Sequence, residues 1–505
     1  MDDRRDDVKY EPVPGHDHMS IQSPAENMAK LGENVKINLD DCGERGGRIF
    51  LYVAVCVAHL TSFACGVALG WTSPVIPKLN GEIEPENNPL SQPITMHQQS
   101  WLGSLLPLGA VLGPFAAGLF VDRIGRKKSI LISTSPFIVA FIMAIFTHDI
   151  NLFFLMRFLC GLALGAIFTI LPMYVGEVAE DANRGSLGSL FALFICIGIL
   201  FSYCVGPYVS LTTFNILCVI PPALFFPIFM LFIPDSPHYL IACNDQEGAE
   251  NALMKFRQKS KQGIQQELLE IKKSVEASMA NKGKFTDLFK SRGLIRALMI
   301  SLGLVSFQQL SGINVVLFYT QTIFLLTGTS IPSAISTIIV GIVQVLAGSL
   351  TPLLVERTGK RFILIFSAVG MGLAMGLLGF YFYVQNNPTV ITYFFWLPIA
   401  SLICFNITYS VGFGPLPWAV LGELFPANIK SAASTITASF CWLLAFIITN
   451  VFGSVTEAIG IYGSFWLFAI FCVLAFFFVY ILLPETSGKT LQEIQDILNG
   501  KYCVL

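Results

Sequence analysis

Apolar residues along this 505-residue chain gather in long blocks separated by short polar connections. A block of about 20 apolar residues can cross the ~30 Å hydrocarbon core of a membrane as an α-helix. Most blocks lack the polar positions at helical spacing that a buried helix of a soluble protein would carry. The pattern predicts twelve membrane-spanning helices, at residues 49–71, 99–121, 129–147, 152–175, 186–208, 214–233, 296–319, 333–355, 362–384, 391–418, 430–453 and 462–483.

A polar stretch between the sixth and seventh predicted spans divides the chain into two halves. It contains KFRQKSKQ and ELLEIKKSVE, in which apolar residues recur at helical spacing. This spacing favours short amphipathic helices lying near the membrane surface. We therefore expect an all-α membrane protein made of a cytoplasmic tail (1–48), a six-helix bundle (49–233), an intracellular helical linker (234–295), a second six-helix bundle (296–483) and a cytoplasmic tail (484–505).

The distribution of Lys and Arg predicts the orientation. DRIGRKK follows the second span and ERTGKR follows the eighth, whereas the connections 72–98, 148–151 and 385–390 carry almost no Lys or Arg. Basic loops stay on the cytoplasmic side of a membrane. Both termini are therefore expected in the cytoplasm, and the expected location is the plasma membrane.

Composition excludes several classes of protein. Only 13% of the residues are charged and the mean hydropathy is +0.66, whereas soluble domains contain about 25% charged residues. No basic face is present that would bind nucleic acid. Nine of the twelve cysteines fall within predicted spans and are expected to pack as small hydrophobes. We expect no catalytic residues, no metal and no cofactor.

Three sequence segments of the first half recur in similar form in the second half. In order, GLFVDRIGRKK (118–128) is answered by PLLVERTGKR (352–361), PMYVGEVAEDANRG (172–185) by PWAVLGELFPANIKS (417–431), and IPDSPHYL (233–240) by LPETSGKT (483–490). All lie on the same predicted side of the membrane, so they indicate a duplicated six-helix unit. Transporters built from repeats bind substrate between the repeats near the membrane midplane and move one repeat against the other.

Acidic residues alternate with basic residues in these repeated segments. Basic residues alone would suffice to set the topology, so the acids favour ion pairs that join the two bundles and close the cytoplasmic side. Helix capping combined with topology is the simpler alternative. The predicted cytoplasmic gate consists of Asp122, Arg126, Glu177, Arg184, Glu356, Arg357, Glu423 and Lys430.

In these motifs the chain resembles the sugar-porter family of the major facilitator superfamily, over residues 49–495. The resemblance also rests on Arg157 in RFLCGLALG and on QQLSGIN, GPLPW, GELFP and PETSGKT. Within the family the chain is most similar to the insect facilitated trehalose transporters. The resemblance implies the major facilitator fold, with two pseudo-symmetric six-helix bundles and alternating access to a sugar site. Two positions depart from the family: His238 and Lys430 stand where arginine is usual.

A sugar presents hydroxyl groups and apolar ring faces, so its site needs amides and aromatic rings. The resemblance implies that the seventh span supplies such amides and a pair of aromatic residues that close over the sugar from outside. Amide hydrogen bonds between helices and aromatic anchors at the membrane interface are the alternative roles. The implied sugar contacts are Gln308, Gln309, Asn314, Gln344, Trp418 and Trp442, and the implied extracellular gate is Phe318 with Tyr319.

Three further positions of the implied site are smaller than in glucose transporters. Ala192, Ser410 and Cys441 stand where those proteins carry glutamine, glutamate and asparagine. A wider site with fewer fixed hydrogen bonds fits a disaccharide, and the trehalose transporters also lack the glutamine and the glutamate. We therefore expect trehalose as substrate, with a hexose as the alternative.

The first span contains no carboxylate of the kind that proton-coupled sugar porters carry there. Its one titratable group, His59, is either a packing residue or a proton relay, and Arg157 has no acid in its own span. Ser487 to Thr490 read like the end of a phosphate-binding loop, but Leu483 replaces the required glycine, which excludes drive by ATP. We expect passive transport by a monomer in the lipid bilayer, with proton symport and a non-transporting sugar sensor as alternatives.

Overall fold

The computed structural model describes residues 47–499, apart from 84, 281–284, 329–330, 386–392, 488 and 490. The predicted tail 1–48 lies almost wholly outside this description, and the tail 484–505 lies partly outside it. The side chains of 352–357 are also outside it, so two residues of the predicted gate, Glu356 and Arg357, have no described contacts.

The first half of the chain forms α1 (Ile49–Gly70), α2 (Thr72–Leu79), α3 (Met96–Ile124), α4 (Arg126–Phe146), α5 (Ile150–Val178), α6 (Arg184–Val205) and α7 (Leu211–Phe232). Next come three short helices, α8 (Pro237–Ala242), α9 (Gln246–Arg257) and α10 (Gln265–Ala280). The apolar faces of these short helices pack on one another, with Leu253 and Ile264 fully buried. The short helices also bind the first half, because Arg257 donates a hydrogen bond to the carbonyl of Val178 (2.9 Å).

The second half forms α11 (Arg292–Leu310), α12 (Ile313–Thr327), α13 (Ser333–Thr358), α14 (Lys360–Val384), α15 (Leu397–Val411), α16 (Leu416–Leu424) and α17 (Ala427–Leu482). The terminal helix α18 (Leu491–Leu498) is held against this half, because Arg296 donates to the carbonyl of Leu498 (2.8 Å).

Within the described residues, eleven helical segments are long and apolar enough to cross a membrane, and the last of them holds two spans. At Gly460 the backbone leaves helical geometry (φ 78°, ψ 162°). The hydroxyl oxygens of Thr456 and Ser464 lie 3.1 Å apart, whereas a straight helix would separate these residues by about 12 Å along its axis. The chain therefore reverses at Gly460, and the spans number twelve, as the hydropathy pattern predicts.

Two of the twelve spans are interrupted near their middle. The seventh changes from α11 to α12 at Gly312, whose φ of 86° suits glycine. The tenth changes from α15 to α16 across Gly412 to Pro415. The hydropathy pattern predicts a single span in each case and does not locate the interruption.

The two halves meet along equivalent helices. The repeated segments make α3 the counterpart of α13, and α6 the counterpart of the first part of α17. In the fold α3 packs along α17, and α6 packs along α13. A pseudo-two-fold axis exchanges these two contacts, which is the arrangement that a duplicated unit predicts.

We call the ends of the helices that carry residues 122–127, 177–184 and 423–430 the charged face, and the other ends the opposite face. On α14, exposed apolar residues recur every three or four positions, including Phe362, Phe366 and Leu373. Such a stripe on a spanning helix faces lipid.

Candidate functional site

The amide of Gln308 joins the two interrupted spans. Its Nε2 donates to the carbonyls of Phe413 (2.6 Å) and Gly414 (2.9 Å), which lie in the gap between α15 and α16. Backbone carbonyls freed by a helix break need partners inside a membrane. Gln308 therefore stabilises the break, and its nitrogen is already occupied.

Gln309 and Asn314 form an amide cluster across the interruption of the seventh span. Asn314 donates from Nδ2 to Oε1 of Gln309, and Gln309 donates from Nε2 to Sγ of Cys441 (3.0 Å) on α17. Both amides are about 6% exposed. The thiol of Cys441 is a weak hydrogen-bond acceptor, so a sugar hydroxyl would be a stronger acceptor for Gln309.

The other predicted contacts lie on several different helices. Trp442 follows Cys441 and is 8% exposed, whereas Trp418, on α16, is half-buried. Ala192, on α6, is exposed in the middle of its span. Ser410 is buried near the end of α15, and its carbonyl accepts a hydrogen bond from Thr351 (2.9 Å). Gln344, on α13, is buried and its Oε1 has no hydrogen-bond partner within the described structure.

The predicted gate residues Phe318 and Tyr319 reach from the second half to the first. Tyr319 donates its hydroxyl to the carbonyl of Gln99 on α3 (3.2 Å), and its ring lies 5.7 Å from that of Phe452. Phe318 is fully buried, and the centroid of its ring lies 5.8 Å from Cζ of the Arg157 guanidinium.

Arg157 is completely buried in α5 without a carboxylate among its described partners. It donates to the carbonyls of Leu102 (3.0 Å) and Ala68 (2.5 Å), and its Nη2 has no partner in the described part of the chain. The rings of Trp71 and Phe318 lie against its guanidinium, at 5.6 and 5.8 Å. Carbonyl dipoles and aromatic faces thus replace the acid that usually accompanies a charge in a membrane.

Further contacts close the space between the halves toward the opposite face. Asn450 donates to the hydroxyl of Ser104 (3.1 Å), and Tyr203 donates to the carbonyl of Leu317 (2.9 Å). Gly453 packs so closely on Ser100 that a Cβ added to it would lie 2.6 Å from the serine oxygen. These contacts bind α17 to α3 and α12 to α6.

On the charged face the described ion pairs lie within each half. Arg126 binds Glu177 through Nε and Nη2, both at 3.0 Å, and also Asp122 at 3.5 Å. Lys360 binds Glu423 in the second half. Lys360 is absent from the predicted gate, although the repeat could have found it, because Lys360 in ERTGKR aligns with Arg126 in DRIGRKK.

The pairing of Arg184 differs from the predicted gate. Arg184 binds Asp181 (2.9 Å), three residues away, and the carbonyl of Gly176. Lys430 lies beside Gly422, with its Nζ about 3.3 Å from where a Cβ of that glycine would be. Among the described side chains no ion pair joins the two halves at the charged face, so the pairing of the bundles there stays a prediction for another conformation.

The segment after the sixth span places Asp235 and His238 at the charged face. Asp235 accepts the backbone N–H of Lys127 (3.1 Å), and burial raises the pKa of its carboxyl despite this hydrogen bond. Burial lowers the pKa of His238, although Glu177 nearby opposes the effect. His238 is therefore held neutral and does not replace the fixed positive charge of the arginine that is usual at this position.

These features define the class of protein. Two six-helix halves, a polar cluster at an interrupted span, and contacts between the halves that close one face make a membrane transporter of the major facilitator fold.

The comparisons with known proteins identify the family. The family model described as "Sugar (and other) transporter" matches residues 54–498. A facilitated trehalose transporter Tret1 from Polypedilum vanderplanki is 35% identical over 94% of both chains, and one from Bombyx mori is 33% identical over 90% of this chain and 88% of its own. The inward-open structure of the xylose transporter XylE from E. coli is 25% identical, with a TM-score of 0.73 over 88% of this chain and 99% of its own.

The chain therefore belongs to the sugar transporter family. It moves sugar by alternating access and is a transporter, not an enzyme.

Proposed function

We propose that this protein is a facilitative uniporter for trehalose in the plasma membrane, working as a monomer with its charged face in the cytoplasm. The observation that carries the proposal is the cluster in which Gln309 binds Asn314, across the interruption of the seventh span, and Cys441 on α17. Interrupted helices at the midplane supply polar groups for a substrate. The relatives that bear the name of a trehalose transporter support the choice of sugar.

The site is proposed to hold the sugar with the predicted residues. Gln309 and Asn314 would donate to and accept from hydroxyl groups, and Trp442 would stack on a ring face. Gln308 would act through the backbone of the tenth span, and Gln344 would offer its unpaired oxygen. Trp418, Ser410, Ala192 and Cys441 would shape the wider part of the site.

Passive transport is supported by the surroundings of the buried titratable groups. Arg157 has carbonyl and aromatic neighbours where a coupling carboxylate would have to lie. His59, in α1, is fully buried against the ring of Phe194 (5.5 Å) and contacts Ser62 through Nδ1 (3.2 Å). Neither residue has a described carboxylate partner that could pass a proton.

The two gates are proposed to open alternately. Phe318 and Tyr319 would close the extracellular side. When that side opens, the charged face would close, and Glu177, Arg184, Glu423 and Lys430, together with Asp122, Arg126, Glu356 and Arg357, would form the network that holds the halves together there.

Purified protein in liposomes tests the proposal. We expect labelled trehalose to enter until the concentrations inside and outside are equal, at a rate that does not depend on an imposed pH gradient. Preloaded unlabelled trehalose should accelerate entry by counterflow. Accumulation driven by a proton gradient would favour symport, entry of glucose alone would favour a hexose carrier, and binding without any flux would favour a sensor.

A further inference from the structure

Three aromatic rings from three helices form a continuous wall across the boundary between the halves. The ring centroid of Trp442, on α17, lies 5.5 Å from that of Phe168, on α5, with the planes at 81°. Phe168 in turn lies 5.0 Å from Phe191, on α6, again at 81°. We call Phe168 and Phe191 the aromatic wall of the first half.

Trp442, which contacts this wall, lies next to the amide cluster. Cys441, which accepts from Gln309 at 3.0 Å, precedes Trp442 in the chain. Trp442 then contacts Phe168. Consecutive residues of α17 therefore contact the amide cluster and the aromatic wall, the latter in the space between the halves.

The aromatic wall is accessible from that space. Phe168 and Phe191 are only partly buried, and Ala192 beside them is exposed, although all three lie within spans. Because Phe168 touches a ring of the other half, its side chain points between the halves and away from lipid. The exposed part of Phe168 therefore faces the space between the halves.

The chemistry of the wall suits a sugar ring that is held by its apolar face. Within the first half, the position next to Phe191 carries alanine and offers no side-chain hydrogen bond. Pyranose rings have C–H faces that pack on aromatic rings, and such packing needs no fixed pattern of hydroxyl groups. The amide cluster, by contrast, binds through hydroxyl groups.

We propose that the aromatic wall of the first half is the subsite for the second pyranose ring of a disaccharide, whose first ring is bound by Gln309 and Asn314. This proposal rests on the proposed function, because a monosaccharide has no second ring. The wall, together with the small residue Ala192, then determines the preference for disaccharides over hexoses.

Phe168→Ala and Phe191→Ala test this subsite in liposomes that contain the purified protein. We expect KM for trehalose to rise about tenfold in each variant while kcat changes little, because the variants lose ring packing and keep the amide cluster. The inhibition constant of glucose against trehalose uptake should stay within about twofold of wild type. Phe168→Trp should retain most of the affinity for trehalose, because it keeps an aromatic face.

Phe366→Ala is the matched control, because Phe366 is 54% exposed on the lipid-facing stripe of α14. Thermal melting of each variant in detergent separates misfolding from loss of the subsite. An unchanged KM for trehalose, or an equal loss of affinity for both sugars, overturns the proposal. If the wild-type protein carries no trehalose, the proposed function fails, whereas normal wild-type transport with unaffected variants refutes the aromatic wall alone.

Discussion

The adjacent residues Gln308 and Gln309, at the end of α11, make different kinds of contact. Gln308 places both of its described donor bonds on backbone carbonyls of the tenth span, so its loss would disturb the fold of that span. In the described part of the chain, Gln309 binds the thiol of Cys441 and the amide of Asn314. Exchanging the thiol, a weak acceptor, for a sugar hydroxyl costs little, which makes Gln309 the better candidate ligand.

We therefore expect Gln309→Ala to reduce sugar uptake at least about fivefold, because one lost hydrogen bond to a buried polar group costs about 1–3 kcal/mol. Counterflow in liposomes measures the effect, with protein yield and melting temperature as checks on folding. Gln266→Ala, on the exposed side of α10, is the matched control. Unchanged uptake by Gln309→Ala would remove this residue from the site.

His238 gives the charged face a defined pH response. Burial lowers its pKa, and the charges that face it are Glu177, Arg184 and Arg126. As the pH falls through about 6.5, the unfolded chain takes up a proton that the folded protein disfavours, so stability falls on the acid side.

We expect the melting temperature of the wild-type protein in detergent to drop more between about pH 7.5 and about pH 5.5 than that of His238→Gln, since this window spans the ordinary histidine pKa. His148→Gln, at an exposed histidine, should behave like wild type. Equal drops for wild type and His238→Gln would show that His238 does not contribute to this pH response.

At the scale of helices, glycines set how closely the spans approach. Gly161, on α5, lies against α3, where an added Cβ would be 2.0 Å from the carbonyl oxygen of Leu106. Gly66 on α1 and Gly198 on α6 approach each other in the same way. Glycine pairs at four-residue spacing predict such close packing from sequence, except at Gly376, which has nothing within 4 Å of an added Cβ.

Gly161→Ala should therefore destabilise the protein by about 1–3 kcal/mol through overpacking. Gly376→Ala is the matched control and should melt at or above the wild-type temperature, because alanine is a better helix former by up to ~1 kcal/mol. Thermal melts of the two variants under the same conditions measure this difference in stability. A Gly161→Ala variant as stable as Gly376→Ala would show that α3 and α5 can separate without cost.

The number and places of the spans follow from hydropathy, but their interruptions do not. QQLSGIN and VGFGPLPW stand inside single apolar spans, and the breaks at Gly312 and Gly412 are stabilised by contacts distant in sequence, such as that from Gln308 to Gly414. The contact of Phe168 and Phe191 with the other half cannot be predicted from sequence, since phenylalanines in an apolar span carry no pattern that separates the space between the halves from lipid. Those positions become visible only when helices from both halves are assembled.

For the molecule as a whole, the sequence repeat predicts two halves that pack symmetrically, and the fold confirms it. The pairing of the two halves across the charged face stays a prediction. Arg126 and Lys360 bind acids of their own halves here, and no composition rule distinguishes such pairs from pairs between halves. The contacts that hold the halves in this conformation lie instead toward the opposite face.

The contacts between the halves toward the opposite face can be fixed by a disulfide bond. An added Cβ on Gly453 would lie 3.9 Å from Cβ of Ser100, which is within the range of a disulfide. We expect Ser100→Cys with Gly453→Cys to cross-link on oxidation and to lower uptake at least about tenfold, because the opposite face can no longer open. Reduction with dithiothreitol should restore transport.

Each single cysteine variant, treated with the same oxidant, serves as the control for this cross-link. A protein that is fully cross-linked on a gel and still transports sugar would show that the halves need not part at Ser100 and Gly453.

The reversal at Gly460 also bears on how the protein is made. The connection between the last two spans is very short, since the single helical segment Asn428–Leu482, 55 residues long, holds both. The insertion machinery therefore has only a few residues around Glu457 and Gly460 at which to release the first span before the second arrives. We therefore expect the two spans to enter the bilayer together as a helical hairpin, with Gly460 as its tip.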